Sequence, residues 1–138
     1  MIKHTHYMLT VLENVDAAVL ALKSVVVDVL GADVLIRFEI CLAEALVNLV
    51  KYAASDATDA VVQIDLREGN ERVRVDIYDP EGTPVFDVRA HAKDLSKIEL
   101  MTESGRGLGI IMQCADDVSY GAVGRRNRLA LDFLKEAV

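Results

Sequence analysis

Residues 59–79, DAVVQIDLREGNERVRVDIYD, decide the fold. Val61, Val62, Ile64 and Leu66 lead to a turn signal at Gly69-Asn70, and Val73, Val75 and Ile77 then alternate with Arg72, Arg74 and Asp76. An alternation of period two marks strands with one face in a core and one in water. Two such runs joined by a short Gly-Asn turn predict an antiparallel hairpin. The second strand delivers Asp79 to its exit, followed by Pro80.

Upstream, the pattern changes to a helical one. Residues 14–31, NVDAAVLALKSVVVDVLG, predict a helix with Asn14 as N-cap and Gly31 as C-cap. A second helix is expected from near Asp33 to about Ala54. At 100° per residue, Arg37, Cys41, Glu44, Asn48 and Lys51 share one narrow stripe of that helix. Leu35, Leu42, Leu46, Leu49, Val50 and Ala53 are expected on the opposite, core-facing side, where Glu39 also falls without an evident partner. Ile40, Cys41 and Val47 flank the stripe, which suggests a partly covered groove rather than an open face. Before both helices, THYMLTVL (5–12) has strand-forming residues.

Downstream, a long and mostly polar segment from Pro80 holds both prolines of the chain. Segments of this length in compact domains commonly serve as lids or binding loops. It ends in ESGRGLG, with Gly105, Gly107 and Gly109 placed before a helix expected over 108–117. Strands near 117–122 and 127–134 close the sequence. The order β-α-α-β-β-loop-α-β-β predicts an α+β sandwich: a mixed, largely antiparallel sheet with helices on one face.

Bulk properties set limits on function. With 138 residues, 52 % of them hydrophobic, the chain is expected to form a single domain over 1–138 with a substantial core. A formal net charge of −7 argues against direct nucleic-acid binding, which needs clustered Lys and Arg. No apolar run approaches the ~20 residues of a membrane span, and MIKHTHYMLT lacks a signal-peptide core. No membrane association is expected, and the cytoplasm is the expected location. Cys41 and Cys114 read as buried free thiols inside helices, and His4, His6 and His91 are too scattered for a protein-only metal site.

Three segments carry chemistry. The helix stripe lines up a carboxylate, an amide and an amine. The glycines at 105, 107 and 109 let successive backbone N–H groups converge on an anion at a helix N-terminus, where Arg106 adds a charged donor; taken alone, the same glycines also describe a hinge. Asp79 at a strand end suits an acceptor for an exocyclic amine; taken alone, Asp-Pro followed by Gly82 also describes an ordinary turn.

In this order and spacing, the three segments resemble the N, G1 and G2 boxes of the GHKL ATPase superfamily. EALVNLVKYA (44–53) and GRGLGIIMQCADDVSY (105–120) are most similar to the RsbW-like anti-sigma-factor serine kinases. The resemblance covers nearly the whole chain and implies the Bergerat two-layer α/β sandwich. It implies Glu44 as general base, Asn48 as the Mg²⁺ ligand and Lys51 as a phosphate contact. Asp79 falls at the adenine-binding aspartate, with Gly82 beside it. Gly105, Arg106, Gly107, Leu108 and Gly109 fall at the phosphate end of a lid. The implied cofactors are ATP and Mg²⁺. The implied activity is that of a serine/threonine-protein kinase and anti-sigma factor. Its expected partners are a STAS-domain anti-anti-sigma protein and a sigma factor or other regulator. A homodimer through the apolar N-terminal strand and helix is also expected. Three positions depart from the pattern: Glu81 stands where the G1 box has glycine, Tyr52 where His is frequent, and Asn127 where Thr or Ser supports the aspartate. Two rivals follow. One is a partner-sequestering module whose altered G1 box no longer serves catalysis. The other is the ATP-binding half of a histidine kinase, which requires a helical dimerisation segment with a phosphoacceptor His that the sequence ahead of the ATPase boxes does not supply.

Overall fold

A computed structural model describes residues 1–52, 60–80 and 103–135, with side chains described over 1–51, 60–80 and 109–135. Strand β1 (Lys3–Leu9) leads through a single 3-10 turn (Leu12–Asn14) to helices α1 (Val15–Val26) and α2 (Ala32–Tyr52). The hairpin β2 (Val61–Glu68) and β3 (Arg72–Tyr78) follows, then helix α3 (Glu103–Cys114) and the hairpin β4 (Asp117–Val123) and β5 (Arg126–Leu134). The five strands form one sheet in the order β1-β2-β3-β5-β4. Every described pairing is antiparallel, in keeping with the largely antiparallel sheet expected, and no parallel pair occurs among the described residues. Both hairpin returns are short, and short turns join only antiparallel neighbours.

The quoted hairpin folds as its alternation requires. Val62, Ile64, Leu66, Val73, Val75 and Ile77 are buried on one face of the sheet. The turn closes with the Gly69 N–H donating to the Arg72 carbonyl at 2.8 Å. Leu129, Leu131 and Phe133 of β5 complete that apolar face.

The helices lie on it. Val15, Ala18, Val19, Leu22 and Val26 form the buried stripe of α1, at helical spacing. Asn14 precedes α1 but makes no side-chain cap bond, and α1 ends at Val26 rather than at the glycine. The β-branched run Val25–Val27, which loses side-chain freedom in a helix, explains the earlier stop.

The buried arc of α2 is turned from the expected one. Val34, Phe38, Cys41, Leu42, Ala45, Leu46 and Asn48 are buried, whereas Leu35, Leu49 and Val50 are only partly so. The helix is gripped on two flanks as well as from below, and this rotates its buried side toward the stripe. Phe38 meets Phe133 edge-on with ring centroids 5.3 Å apart, tying α2 to β5. Glu39, unaccounted for in the sequence, accepts from Lys23 of α1 at 2.8 Å. Among the described residues no helix is long and apolar enough to cross a membrane.

Candidate functional site

The stripe of α2 runs along the seam between α2 and α3 and divides into two halves. In the first half every polar group is engaged. Arg37 Nη1 donates to the Cys114 carbonyl at 2.9 Å and lies 3.6 Å from Asp116 Oδ1. That carbonyl closes the last turn of α3 and has no acceptor role within the helix, so the guanidinium serves as its cap. One turn further on, Cys41 Sγ donates to the Ile111 carbonyl at 3.8 Å. Burial holds the Cys41 thiol far above its ordinary pKa, which makes it an inert packing group. Cys114 is half-buried and, like Cys41, free.

The second half is different. Asn48 is only 3 % exposed, yet among the described residues its amide nitrogen has no hydrogen-bond partner. An orphaned buried amide costs on the order of 1–3 kcal/mol and so calls for an explanation; Asp76 Oδ1 and Arg128 Nε are also orphaned among the described residues. The nitrogen and oxygen of an amide exchange places by a simple flip, so the orphaned position serves equally as a donor or as an oxygen ligand. Glu44 lies one turn before Asn48 and is half-buried, and Lys51 lies one turn after it and is exposed. Among the described residues the helix therefore presents a carboxylate, an unsatisfied amide and an exposed amine along this end of the seam.

Asp79 leaves β3 on the helix-facing side of the sheet and is 5 % exposed. Its backbone N–H donates to the Asn127 carbonyl at 3.0 Å, and its carboxylate accepts from the Asn127 side chain. Burial pushes the Asp79 carboxyl up to about 6, and the Asn127 bond offsets only part of that. A carboxylate kept here against its solvation has spare acceptor capacity for a ligand's N–H. Asn127, itself buried, is thus structurally bonded to Asp79 from the neighbouring strand.

The glycine run is placed differently from the sequence expectation. Gly105, Gly107 and Gly109 lie within α3, which begins at Glu103, not ahead of it. Glycine weakens a helix by ~1 kcal/mol relative to alanine. Here the far end of α3 is fastened to α2 by the Arg37 and Cys41 contacts, and Ile111 is fully buried, which offsets that weakness. The backbone N–H groups of the first turn remain the donors that a helix start offers to an anion. Gly82, Glu81 and the segment to residue 102 lie outside the described residues, as do the side chains of Tyr52, Arg106 and Leu108.

An antiparallel five-stranded sheet covered on one face by three helices, with a carboxylate–amide helix facing a glycine-bearing one, defines an ATPase domain of the GHKL type. The sequence profile of the histidine kinase-like ATPase domain matches residues 10–133, so the chain belongs to that family. No curated protein matches the chain. The resemblance to RsbW-like kinases agrees with this family, which includes them. Domains of the family bind ATP, usually with Mg²⁺. The residues present fit such a group: a neutral amide suits Mg²⁺ that takes its other ligands from phosphates and water, and Asn48 is the orphaned amide.

Cys41 is the buried free thiol expected, although it falls in the polar stripe. One feature of the site was not foreseen from sequence. Arg37 caps α3, a role that needs the C-terminus of one helix to be seen beside the middle of another.

Proposed function

We propose that the chain is an ATP-dependent serine/threonine-protein kinase that acts as an anti-sigma factor in a partner-switching circuit, with a STAS-domain protein as its phosphoacceptor. The observation that carries the reading is the orphaned, buried amide of Asn48, one helical turn from Glu44 at the open end of the α2–α3 seam. Glu44 takes the proton of the acceptor hydroxyl. The hydroxyl oxygen bonds to the γ-phosphorus as the bond to the bridging oxygen breaks, and ADP leaves. Asn48 would hold Mg²⁺, which when bound would supply charge neutralisation at the phosphates. Lys51 reaches a phosphate, and Asp79 accepts from the adenine amine. Positioning and charge neutralisation supply most of the catalysis in phosphoryl transfer. Phosphorylation of the antagonist would release the kinase to hold a sigma factor or other regulator.

Calorimetric titration of ATP with and without Mg²⁺, followed by transfer of labelled phosphate to a STAS-domain protein, tests the reading. Binding that depends on Mg²⁺ and is lost in Asn48→Ala supports it. Tight partner binding without detectable ATP binding would identify a sequestering module instead.

A further inference from the structure

The sheet face turned away from the helices carries a feature unrelated to the seam. In the strand register, Lys3 of β1 lies opposite Arg67 of β2, and Arg67 lies opposite Arg74 of β3. Three cations therefore stand side by side across three strands, on the outward face. Adjacent strands are about 4.8 Å apart, so the row spans roughly 10 Å. Like charges placed directly opposite one another destabilise a sheet.

The carboxylates nearby are engaged by cations, although the buried Asp76 Oδ1 has no partner among the described residues. Asp132, opposite Arg74, accepts from Arg74 Nε and Nη2 at 2.9 and 3.1 Å and from Arg72 Nη1 at 3.4 Å. Asp76 accepts from Arg67 Nη2 at 2.9 Å. Glu68 accepts from Lys135 at 2.6 Å and from the Ile2 N–H at 3.0 Å. Asp132 and Asp76 are buried beneath these arginines, whose side chains remain 38–54 % exposed. Each guanidinium has five N–H donors, so each keeps donors free after these bonds. Lys3 makes no ion pair among the described residues. Between the cations lies a hollow of about 370 Å³, lined by Lys3, Arg67, Arg72 and Arg74 together with Gly69 and the two engaged carboxylates Glu68 and Asp132. All of this occurs on a protein with a net charge of −7.

We infer that this hollow is a binding site for a small anion carrying clustered phosphate groups, of pyrophosphate size or somewhat larger. Exposed guanidinium forks fixed by carboxylates behind them are preorganised for phosphate oxygens, and Lys3 supplies a mobile point charge at the rim. The site lies on the opposite side of the sheet from α2 and Asp79, so it does not depend on the nucleotide reading of the seam.

Inorganic pyrophosphate is the probe. Amide NMR spectra of the full chain are followed during titration at constant ionic strength, with citrate and chloride as controls. The expected result is saturable shifts at residues 66–74 and 131–134, stronger for pyrophosphate than for citrate. The Lys3→Ala/Arg72→Ala double variant leaves Arg74 on Asp132 and Arg67 on Asp76, so its fold is expected to persist, as the unperturbed spectrum elsewhere would show. Its affinity at these amides should fall by about tenfold, the worth of one or two charge-assisted bonds. Asn48→Ala should leave these shifts unchanged, which separates them from any binding in the seam. Non-saturating shifts, equal response to chloride or citrate, or an unchanged affinity in the double variant would each overturn the assignment.

Discussion

The two halves of α2 present the same kind of stripe and put it to opposite uses. From Ala32 to about Ala43, the polar groups on the α3 side are consumed by structure: Arg37 caps α3 and Cys41 bonds to Ile111. From Glu44 to Lys51, the stripe makes no such contact among the described residues, and it contains a buried amide without a partner among them. The first half anchors the far end of α3. The second half is left unsatisfied where the glycine-bearing start of α3 lies. A helix that was merely amphipathic would be either satisfied or solvated along its whole length. The break between the halves is what marks the second as a site.

The largest effect expected is confined to the open half. Glu44→Gln keeps the shape and the capacity to accept hydrogen bonds but removes the proposed base. Phosphotransfer to a STAS-domain acceptor should fall by about 10²–10⁴ while ATP binding stays near wild type. Transfer at close to the wild-type rate would dismiss Glu44 as the base. It would also reduce the difference between the halves to one of packing.

Asp79 tests a second part of the unsatisfied region, through pH. Its folded pKa of about 6 lies above the ordinary value of 3.8. A raised carboxyl binds its proton more tightly in the folded state, so it favours folding at low pH. That advantage is lost as pH rises through the window between about 4 and 6. At neutral pH the charged, buried carboxylate costs the fold roughly 2–3 kcal/mol at 1.36 kcal/mol per unit. Asp79→Asn should therefore raise the stability of the nucleotide-free protein at pH 7 by up to that amount, with the gain vanishing near pH 4. The same substitution should weaken ATP binding, because the proposed acceptor for the adenine amine becomes a group that also donates. Chemical denaturation across pH and calorimetry at pH 7 measure the two. A variant less stable at pH 7 would mean that Asn127 satisfies the carboxylate fully.

These expectations show where sequence was sufficient. The hairpin 59–79 was legible because period-two alternation and a Gly-Asn turn agree with each other, and its strands fall at 61–68 and 72–78. The later strands, expected near 117–122 and 127–134, fall at 117–123 and 126–134. The face of α2 was not, because helical angles give relative positions only. They cannot say that α3 grips one flank through Arg37 while α1 holds the other through Lys23. The start of α3 was misplaced because glycine propensity argues for a loop, and only docking on α2 overrides it. The cation row needed the strand order: Lys3, Arg67 and Arg74 are far apart in sequence and become neighbours only through the β1-β2-β3 register.

A smaller effect is expected from the anchored half. Arg37→Met keeps much of the alkyl stem but leaves the Cys114 carbonyl without its donor. The side chain is 31 % exposed, so water can replace part of the bond. A loss of about 1 kcal/mol is expected, read as a lower midpoint in urea. Intrinsic affinity for Mg-ATP should change less than in Asn48→Ala. If Arg37→Met abolished ATP binding while leaving stability intact, the division of α2 into an anchored and an open half would be wrong.

The smallest effect lies on the opposite flank of α2 and calibrates the others. Lys23 and Glu39 form a 2.8 Å ion pair between α1 and α2, with side chains 34 % and 39 % exposed. Water competes for both groups, and two long side chains must be held in one geometry. A pair of this kind contributes roughly 0.2–1 kcal/mol. Lys23→Met, Glu39→Gln and the double variant form a cycle whose coupling energy should fall in that range. It should shrink further near 0.5 M salt, where charges are screened over about 4–5 Å. Neither variant should alter ATP binding, since the pair lies on the flank away from Asn48. A coupling well above 1 kcal/mol would show that the α1–α2 contact holds α2 as firmly as the Arg37 cap does. The open half of the helix would then owe its placement to both flanks rather than to α3 alone.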